Sequence, residues 1–166
     1  MQEKYSKFAA KMDATLLAVP CESLTKARCR PIPNHPNPPL PLRSPKRVRG
    51  LGGLSVRDQQ KVEDGNALAD FSLNYAEEAD LAGNAVLIET PGSSFLLEFP
   101  KAKQLLGMSH WVLVKHLACV LLAARAKFQA LFGNIEELKM AISAITFMKK
   151  TNGSRGSPSR ETGCTP

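Results

Sequence analysis

Residues 109–132 read SHWVLVKHLACVLLAARAKFQALF, and this stretch decides the fold class that the sequence predicts. Placed on a helical wheel, its apolar side chains fill an arc of about 120° that contains no charged residue. Ser109 is a residue type that caps the start of helices, and Gly133 is a type that ends them. The pattern therefore predicts an amphipathic helix over residues 109–132. Its longest uncharged run is far shorter than the ~20 residues of a membrane span.

A second helix is predicted over residues 135–149. Asn134, followed three residues later by Glu137, forms a capping-box pattern. The two lysines that end the segment stand where the helix dipole favours cations. Because only two residues separate the two predicted helices, we expect them to fold back on each other as an antiparallel pair.

Two further elements are predicted upstream of this pair. Asn66 is a candidate N-cap and Gly83 a candidate stop for a helix over residues 66–82. Two apolar runs, AVLIE and FLLEF, flank the turn signal Pro91-Gly92, which predicts a β-hairpin over residues 85–99. A lone hairpin is marginally stable, so we expect a helix to cover it.

Together these elements predict a mainly α protein. Residues 66–150 form a small, mostly helical region: a helical hairpin with one or two further helices and a short β-hairpin. Burial of both apolar helix stripes requires the β-hairpin, the helix over residues 66–82 or a second copy of the chain, which makes a homo-oligomer one of the expectations.

Residues 1–19 predict an amphipathic N-terminal helix. On a helical wheel one face carries the apolar residues Tyr5, Phe8, Met12, Leu16 and Val19. The opposite face carries Lys4, Lys7 and Lys11. Two interpretations follow: the helix docks on the rest of the protein, or it acts as a mitochondrial presequence or a membrane-surface element.

The charge of the chain alternates in three blocks. Residues 1–50 carry ten basic and three acidic residues, residues 51–100 carry two basic and nine acidic, and residues 101–166 again carry ten basic and three acidic. The acidic middle can attract both basic ends, or each block can bind a different partner. No continuous basic footprint is present, so specific nucleic-acid binding is not expected.

The cysteine and histidine residues do not form a spacing pattern that predicts a catalytic or metal site. Cys21, Cys29, Cys119 and Cys164 lack the spacing of a disulfide framework and are expected to be free thiols. Cys21, Cys29 and His35 lack a fourth ligand, so no metal site is predicted. His110 and His116 have no Ser, Cys or Asp partner placed by spacing. We therefore expect a non-enzymatic protein without a cofactor.

Residues 31–49, PIPNHPNPPLPLRSPKRVR, contain seven of the twelve prolines of the chain. Proline fixes φ and removes a backbone donor, which excludes a helix or a central strand. With the glycines that follow it, this stretch predicts a disordered, exposed, basic arm over residues 20–55. The polar, Gly- and Ser-rich residues 151–166 predict a disordered tail.

Residues 38–43 of this arm, PPLPLR, fit the pattern P-x-x-P-x-R. The pattern resembles ligands of Src-homology-three domains, whose aromatic grooves accept a preformed polyproline helix. In such a ligand Pro38 and Pro41 would fill the grooves, and Arg43 would pair with the acidic rim. We therefore predict these three residues as a partner-binding site.

Two more motifs overlap this site. Ser44 precedes a proline, with the base Arg47 two positions after that proline, which resembles a substrate of proline-directed kinases, and Ser157 repeats the pattern with Arg160. A phosphate at Ser44 would add about −1.5 to −2 charges and weaken binding to an acidic surface. Lys46, Arg47 and Arg49 resemble a nuclear import signal, and the alternative is a solvated cluster of linker charges.

These features support a non-enzymatic regulatory or adaptor protein, nuclear or cytoplasmic, that binds partner proteins through its proline-rich arm. The alternative is a membrane-surface or mitochondrial protein that uses its basic amphipathic helices, residues 2–19 and 109–132, against anionic lipid or a calmodulin-like groove. A third interpretation is a weakly constrained reading frame with little packed structure.

Overall fold

A computed structural model describes residues 12–29, 36, 38–117, 128–135, 137, 138, 140, 141 and 143. Within these residues a mixed four-stranded sheet packs against helices, so the expectation of a mainly α protein is wrong. In chain order the elements are β1 (Ala14–Ala18), α1 (Val56–Leu81), β2 (Ala85–Pro91), α2 (Pro100–Leu106), β3 (Val112–Leu117) and β4 (Phe128–Gly133). Two short 3-10 helices cover Lys26–Cys29 and Phe95–Glu98.

The predicted helix over residues 109–132 is replaced at both ends by strands. β3 and β4 pair antiparallel, with Leu113 opposite Phe132 and Val114 opposite Leu131. The first pair lies on the sheet face toward α1, and the second lies on the other face. Because both faces are covered, apolar residues occur at consecutive positions and fill a helical arc as readily as two strand faces. Residues 118–127 lie outside the described part of the chain.

The predicted β-hairpin over residues 85–99 is also wrong. β2 pairs parallel with β1 and antiparallel with β4, so the sheet order is β1-β2-β4-β3. The run Phe95–Glu98 forms a 3-10 helix because the Ser94 side chain accepts a hydrogen bond from the backbone N–H of Leu96. Phe95 and Phe99 are buried at 2% and 0% exposure, which fixes this turn against the core.

A helix was predicted over residues 1–19, but the described part of this range contains a strand. Ala14–Ala18 is β1, and Thr15 and Leu17 face α1 while Leu16 faces away. Pairing with β2 supplies the backbone hydrogen bonds that a helix would otherwise make. Residues 1–11 lie outside the described part of the chain.

The predicted helix over residues 66–82 lies within the longer helix α1. Ser55, rather than Asn66, is its N-cap, and the Ser55 hydroxyl accepts the backbone N–H of Asp58 at 3.2 Å. Gly83, the predicted stop, has φ of +78° just after the helix. The buried side of α1 is rich in small residues, which lets other segments approach it closely: Gly65, Ala69, Ser72, Ala76 and Ala79.

Two apolar clusters cover the two faces of the sheet. The larger lies between α1 and the sheet and includes Leu73, Ile88, Leu96, Phe99 and Phe132. The smaller lies on the opposite face and includes Val112, Leu131 and Leu138, with Leu87, Val114 and Ile135 packed against it. Of the predicted helix over residues 135–149, the described residues 138, 140, 141 and 143 are helical. The remainder of that segment and the predicted tail, residues 151–166, lie outside the described residues.

Candidate functional site

Arg43 makes the most extensive polar contacts in the proline-rich segment. Its Nε donates to the Ser23 carbonyl at 2.9 Å, and Nη2 donates to the Ser23 hydroxyl and to the Val62 carbonyl, both at 3.0 Å. Nη1 donates to the Val48 carbonyl at 2.5 Å and to Asn66 Oδ1 at 2.7 Å. All five N–H donors of a guanidinium are therefore used. We call this set of contacts the Arg43 network.

The Arg43 network holds a buried cation without a carboxylate. Arg43 is 1% exposed, and within the described residues its partners are carbonyl, amide and hydroxyl oxygens. Burial and, to a smaller extent, the nearby charge of Arg49 lower the pKa of Arg43 to about 10. The guanidinium carbon also lies 6.0 Å from the centre of the Phe99 ring. At neutral pH the side chain stays charged and is stabilised by dipoles.

Gly65 makes the close approach of Arg43 to α1 geometrically allowed. A Cβ at this position would lie 2.2 Å from the Ser23 hydroxyl and 3.0 Å from Arg43 Nη2. Only a residue without a side chain leaves that space empty. The glycine therefore costs helix propensity inside α1 but admits the Arg43 network.

This network changes the interpretation of the proline-rich arm. Part of the arm predicted to be disordered over residues 20–55 packs against the domain, since Leu42 is 2% and Arg43 1% exposed. Pro38 and Pro41 are exposed. The predicted partner-binding residues are therefore not all accessible. Arg43 is buried, whereas Pro38 and Pro41 are exposed at the surface.

Residues 44–47 form a closed turn directly after Arg43. The backbone N–H of Arg47 donates to the Ser44 carbonyl at 3.0 Å and to the Ser44 hydroxyl at 3.1 Å, and the Ser44 N–H donates back to the Arg47 carbonyl at 3.3 Å. Ser44 is half-buried, while Pro45, Lys46 and Arg47 are exposed. Neither Lys46 nor Arg47 forms an ion pair with any residue that the structure describes.

The third base of the predicted import signal is held differently. Arg49 binds Asp70 with two hydrogen bonds, at 2.7 and 2.9 Å, which raises the pKa of Arg49. The Arg49 carbonyl accepts Asn66 Nδ2 at 2.9 Å, and Val48 packs against the larger apolar cluster. The predicted cluster of Lys46, Arg47 and Arg49 is therefore two free cations beside one paired cation.

Asp80 forms a second polar centre, at the opposite end of α1. Its carboxylate accepts hydrogen bonds from Trp111 Nε1 at 2.9 Å and from Asn134 Nδ2 at 2.8 Å, and it lies 2.9 Å from His110 Nε2. Burial pushes the pKa of Asp80 upward, but the hydrogen bonds from Trp111, His110 and Asn134 outweigh burial and hold this pKa below its ordinary value. Asp80 thus joins α1 to the start of β3 and the end of β4.

Asn134 has a different role from the predicted one. Its side chain bonds Asp80, accepts the Val86 N–H at 2.7 Å and donates to the Asn84 carbonyl at 2.8 Å. These contacts satisfy the backbone around the start of β2. The side chain is therefore a bridge between strands and α1 rather than the first member of a capping box.

His116 is a buried polar residue on β3. It is 6% exposed, and neither ring nitrogen has a hydrogen-bond partner among the residues that the structure describes. Burial lowers the pKa of His116, although the negative charge of Glu89 opposes this shift. On the neighbouring strands Glu89 accepts a hydrogen bond from Gln129 Nε2. His116 is consequently expected to be neutral within the fold.

The remaining predicted sites are only partly described. Ser157, His35, Cys119 and Cys164 lie outside the described residues. Cys21 and Cys29 are free thiols. In the portion of the chain that the structure describes, no group of three His, Cys, Asp or Glu residues could hold a metal ion. No helix in that portion is long and apolar enough to cross a membrane.

No protein family, curated protein or solved structure matches this chain. The Arg43 network was missed because its glycine, Gly65, lies just before the helix predicted over residues 66–82 but inside the observed helix α1. A glycine inside a helix often marks a close approach of another segment. No local pattern marks Asp80, because its three partners come from positions 30 to 54 residues further along the chain.

Proposed function

We propose that the protein is a non-enzymatic binding protein that presents residues 38–47 to partner proteins as an anchored loop. We call this segment the presented loop. The observation that carries the proposal is the Arg43 network, which ties the middle of the loop to α1 and leaves both flanks outside. An anchored loop loses less conformational entropy on binding than a disordered arm, which favours affinity.

The chemistry of the two flanks indicates the kind of partner. On one side Pro38 and Pro41 are exposed together with Leu40, which is 69% exposed. On the other side Lys46 and Arg47 carry positive charge. A complementary partner has an apolar groove beside an acidic rim, as Src-homology-three domains do. In the folded chain Lys46 and Arg47 would meet the acidic rim, because Arg43 is buried.

Phosphorylation of Ser44 would regulate this binding. The Ser44 hydroxyl lies within the turn that positions Lys46 and Arg47. A phosphate would add about −1.5 to −2 charges beside these two cations and reduce the positive field that the partner reads. We therefore expect the phosphorylated chain to bind an acidic surface more weakly.

The same two cations support a nuclear or cytoplasmic location. An import receptor reads several basic residues through an acidic groove, and Lys46 and Arg47 are the two bases of the predicted signal that stay exposed. Docking of Arg49 in that groove would require its separation from Asp70. The membrane-surface alternative relied on basic helices over residues 2–19 and 109–132, and residues 14–18, 112–117 and 128–132 of those ranges lie in strands.

A binding assay with the intact chain tests the presented loop. We would measure binding of the wild-type chain and of a Lys46→Ala/Arg47→Ala variant to a panel of immobilised Src-homology-three domains at low and high salt. We expect at least one domain to bind, with affinity that falls about tenfold in the variant and also falls at high salt. A matched control, Arg57→Ala/Lys115→Ala, removes two exposed bases outside the loop and should bind like wild type.

A peptide comparison separates the presented loop from a motif that works only when it is unfolded. A peptide of residues 34–47 exposes Arg43, whereas the intact chain buries it. If only the peptide binds, and an Arg43→Ala peptide does not, the folded chain masks the motif and the proposal is wrong. Equal binding by the intact chain and its Lys46→Ala/Arg47→Ala variant would also contradict it.

A further inference from the structure

β1 forms one edge of the sheet, and no strand among the residues that the structure describes pairs with its outer side. The Ala85 N–H donates to the Asp13 carbonyl at 3.0 Å, and the Val19 N–H donates to the Glu89 carbonyl at 3.4 Å. With the parallel register of β1 and β2, these bonds direct the backbone of odd-numbered residues toward β2. Ala14, Leu16 and Ala18 therefore direct their N–H and C=O groups away from the sheet. We call these groups the open edge.

The open edge lacks the features by which proteins usually block strand pairing. The strand reads ATLLA, with no charge and no proline, and its pairing with β2 runs without a bulge. The opposite edge strand, β3, carries the exposed charge of Lys115. Inward or edge charges of that kind oppose pairing with another chain, and β1 has none.

The β1 sequence is self-complementary in one antiparallel register. With Leu16 opposite Leu16 of a second copy, Ala14 lies opposite Ala18 of that copy. Each of these pairs is a hydrogen-bonded pair, since the open edge consists of the same residues. Asp13 then lies opposite Val19 of the second copy, so no like charges face each other across the junction.

Side chains on the same strand add apolar contact in this register. Leu16 is 62% exposed, and it lies on the sheet face opposite α1, beside the half-buried Leu87. Small residues flank it at Ala14 and Ala18, which leaves room for the two Leu16 side chains to pack. Met12, which is 46% exposed, extends the apolar surface at the end of the strand.

We propose that two copies of this chain pair through β1 as a two-fold symmetric dimer with one continuous eight-stranded sheet. A junction of five residues per strand buries less than the ~1,200 Å² of a standard interface, so dissociation is expected at roughly 10–100 μM. The dimer would carry two copies of the presented loop and could bind a divalent partner with higher avidity. The dimer does not depend on the proposed function.

Sedimentation velocity on the full chain tests the dimer over a concentration range up to roughly 500 μM. We expect wild type to shift from monomer to dimer. We expect Leu16→Lys to stay monomeric, because the register places the new charge opposite its own copy. Leu40→Lys changes an equally exposed leucine outside the sheet and should dimerise like wild type. Far-UV circular dichroism would verify that all variants keep the fold.

A mixing experiment tests the register itself. Leu16→Lys and Leu16→Glu are each expected to be monomeric, and an equimolar mixture is expected to form heterodimers, since position 16 then pairs opposite charges. A monomeric wild type at every concentration would overturn the proposal. Retained dimer in Leu16→Lys, or a mixture that stays monomeric, would overturn the β1 register.

Discussion

Arg43 and Asp80 both connect α1 to other segments, yet their surroundings differ. Arg43 bonds residues in the first half of α1, and Asp80 lies at the end of α1. Arg43 is almost fully buried and bonds neutral oxygens of four residues. The Asp80 side chain is 12% exposed and bonds the side chains of Trp111, Asn134 and His110. Arg43 is therefore a buried cation held by dipoles, whereas Asp80 is a carboxylate held by hydrogen bonds from three side chains.

The difference determines how each centre responds to its surroundings. An arginine stays protonated across the accessible pH range even when burial lowers its pKa to about 10. A carboxylate titrates, and its contribution disappears in acid. The Arg43 network should thus be insensitive to moderate pH, and the Asp80 centre should weaken at low pH.

The largest effect is expected from Arg43→Met, which keeps an unbranched apolar stem but removes the guanidinium and every donor. Oxygens of Ser23, Val48 and Asn66 would lose partners inside the protein, so the free energy of unfolding should fall by about 3 kcal/mol. Urea denaturation measures this change. Arg57→Met, at an exposed site, is the control and should change stability by less than about 0.5 kcal/mol. A loss below about 1 kcal/mol for Arg43→Met would show that the arm is not held by its guanidinium.

Gly65→Ala tests the same network through the sign of the change in the free energy of unfolding. Alanine normally stabilises a helix interior by about 1 kcal/mol relative to glycine. Here the new Cβ would lie 2.2 Å from the Ser23 hydroxyl, so we expect a loss of about 2 kcal/mol instead. Thermal or urea unfolding gives the sign directly. Asp64→Ala, at the exposed neighbouring position, should be close to neutral, and a more stable Gly65→Ala protein would disprove the close approach.

Asp80→Asn is expected to cost about 1.5 kcal/mol at pH 7, through loss of the charged acceptor for Trp111 and His110. Because the pKa of Asp80 is held below its ordinary value, its stabilisation is complete above about pH 4 and is lost as pH falls through the lower folded-state pKa. The variant and wild type should therefore converge in acid. Urea titrations at several pH values measure this, with the exposed Glu78→Gln as control. A difference that does not change with pH would exclude a charge effect.

His116→Leu extends the comparison to a buried polar group whose ring nitrogens have no hydrogen-bond partner in the described part of the chain. Replacing the imidazole should raise stability by about 1 kcal/mol at pH 7. Burial lowers the pKa of His116, so on acidification the unfolded chain binds a proton near pH 6.5 before the folded chain does. Wild type should lose stability as pH falls below that value, and the variant should lose less. His110→Leu, at a ring bonded to Asp80, should not stabilise; a destabilised His116→Leu protein would contradict the absence of a partner.

The sequence predicted several local features of the fold. Gly83 ends α1 with positive φ, and the apolar run at residues 85–91 is extended. The partners of that run were mispredicted, because strand pairing joins β2 to residues about 40 positions later and about 70 positions earlier. Hydrophobic periodicity also failed over residues 109–132, since strands buried on two faces lose their alternation.

At the candidate site, too, local features could be predicted from the sequence and long-range contacts could not. Prolines excluded a helix from residues 38–49, and the exposed Lys46 and Arg47 follow from composition and local turn chemistry. The burial of Arg43 did not follow, because its acceptors come from α1 and from the chain near Ser23. A P-x-x-P-x-R pattern describes an isolated peptide, and it contains no information about the surface on which the peptide folds.

By itself the sequence determined what depends on neighbouring residues: the end of α1 at Gly83, the exclusion of helix from the proline-rich segment, and the three charge blocks. Only the tertiary structure decided which apolar positions face α1, which strands pair, and that Arg43 and Asp80 become polar centres. The physical reason is that a cap or a proline acts within a few covalent bonds. Burial and hydrogen bonding of a charged side chain, by contrast, depend on partners that folding brings from distant positions.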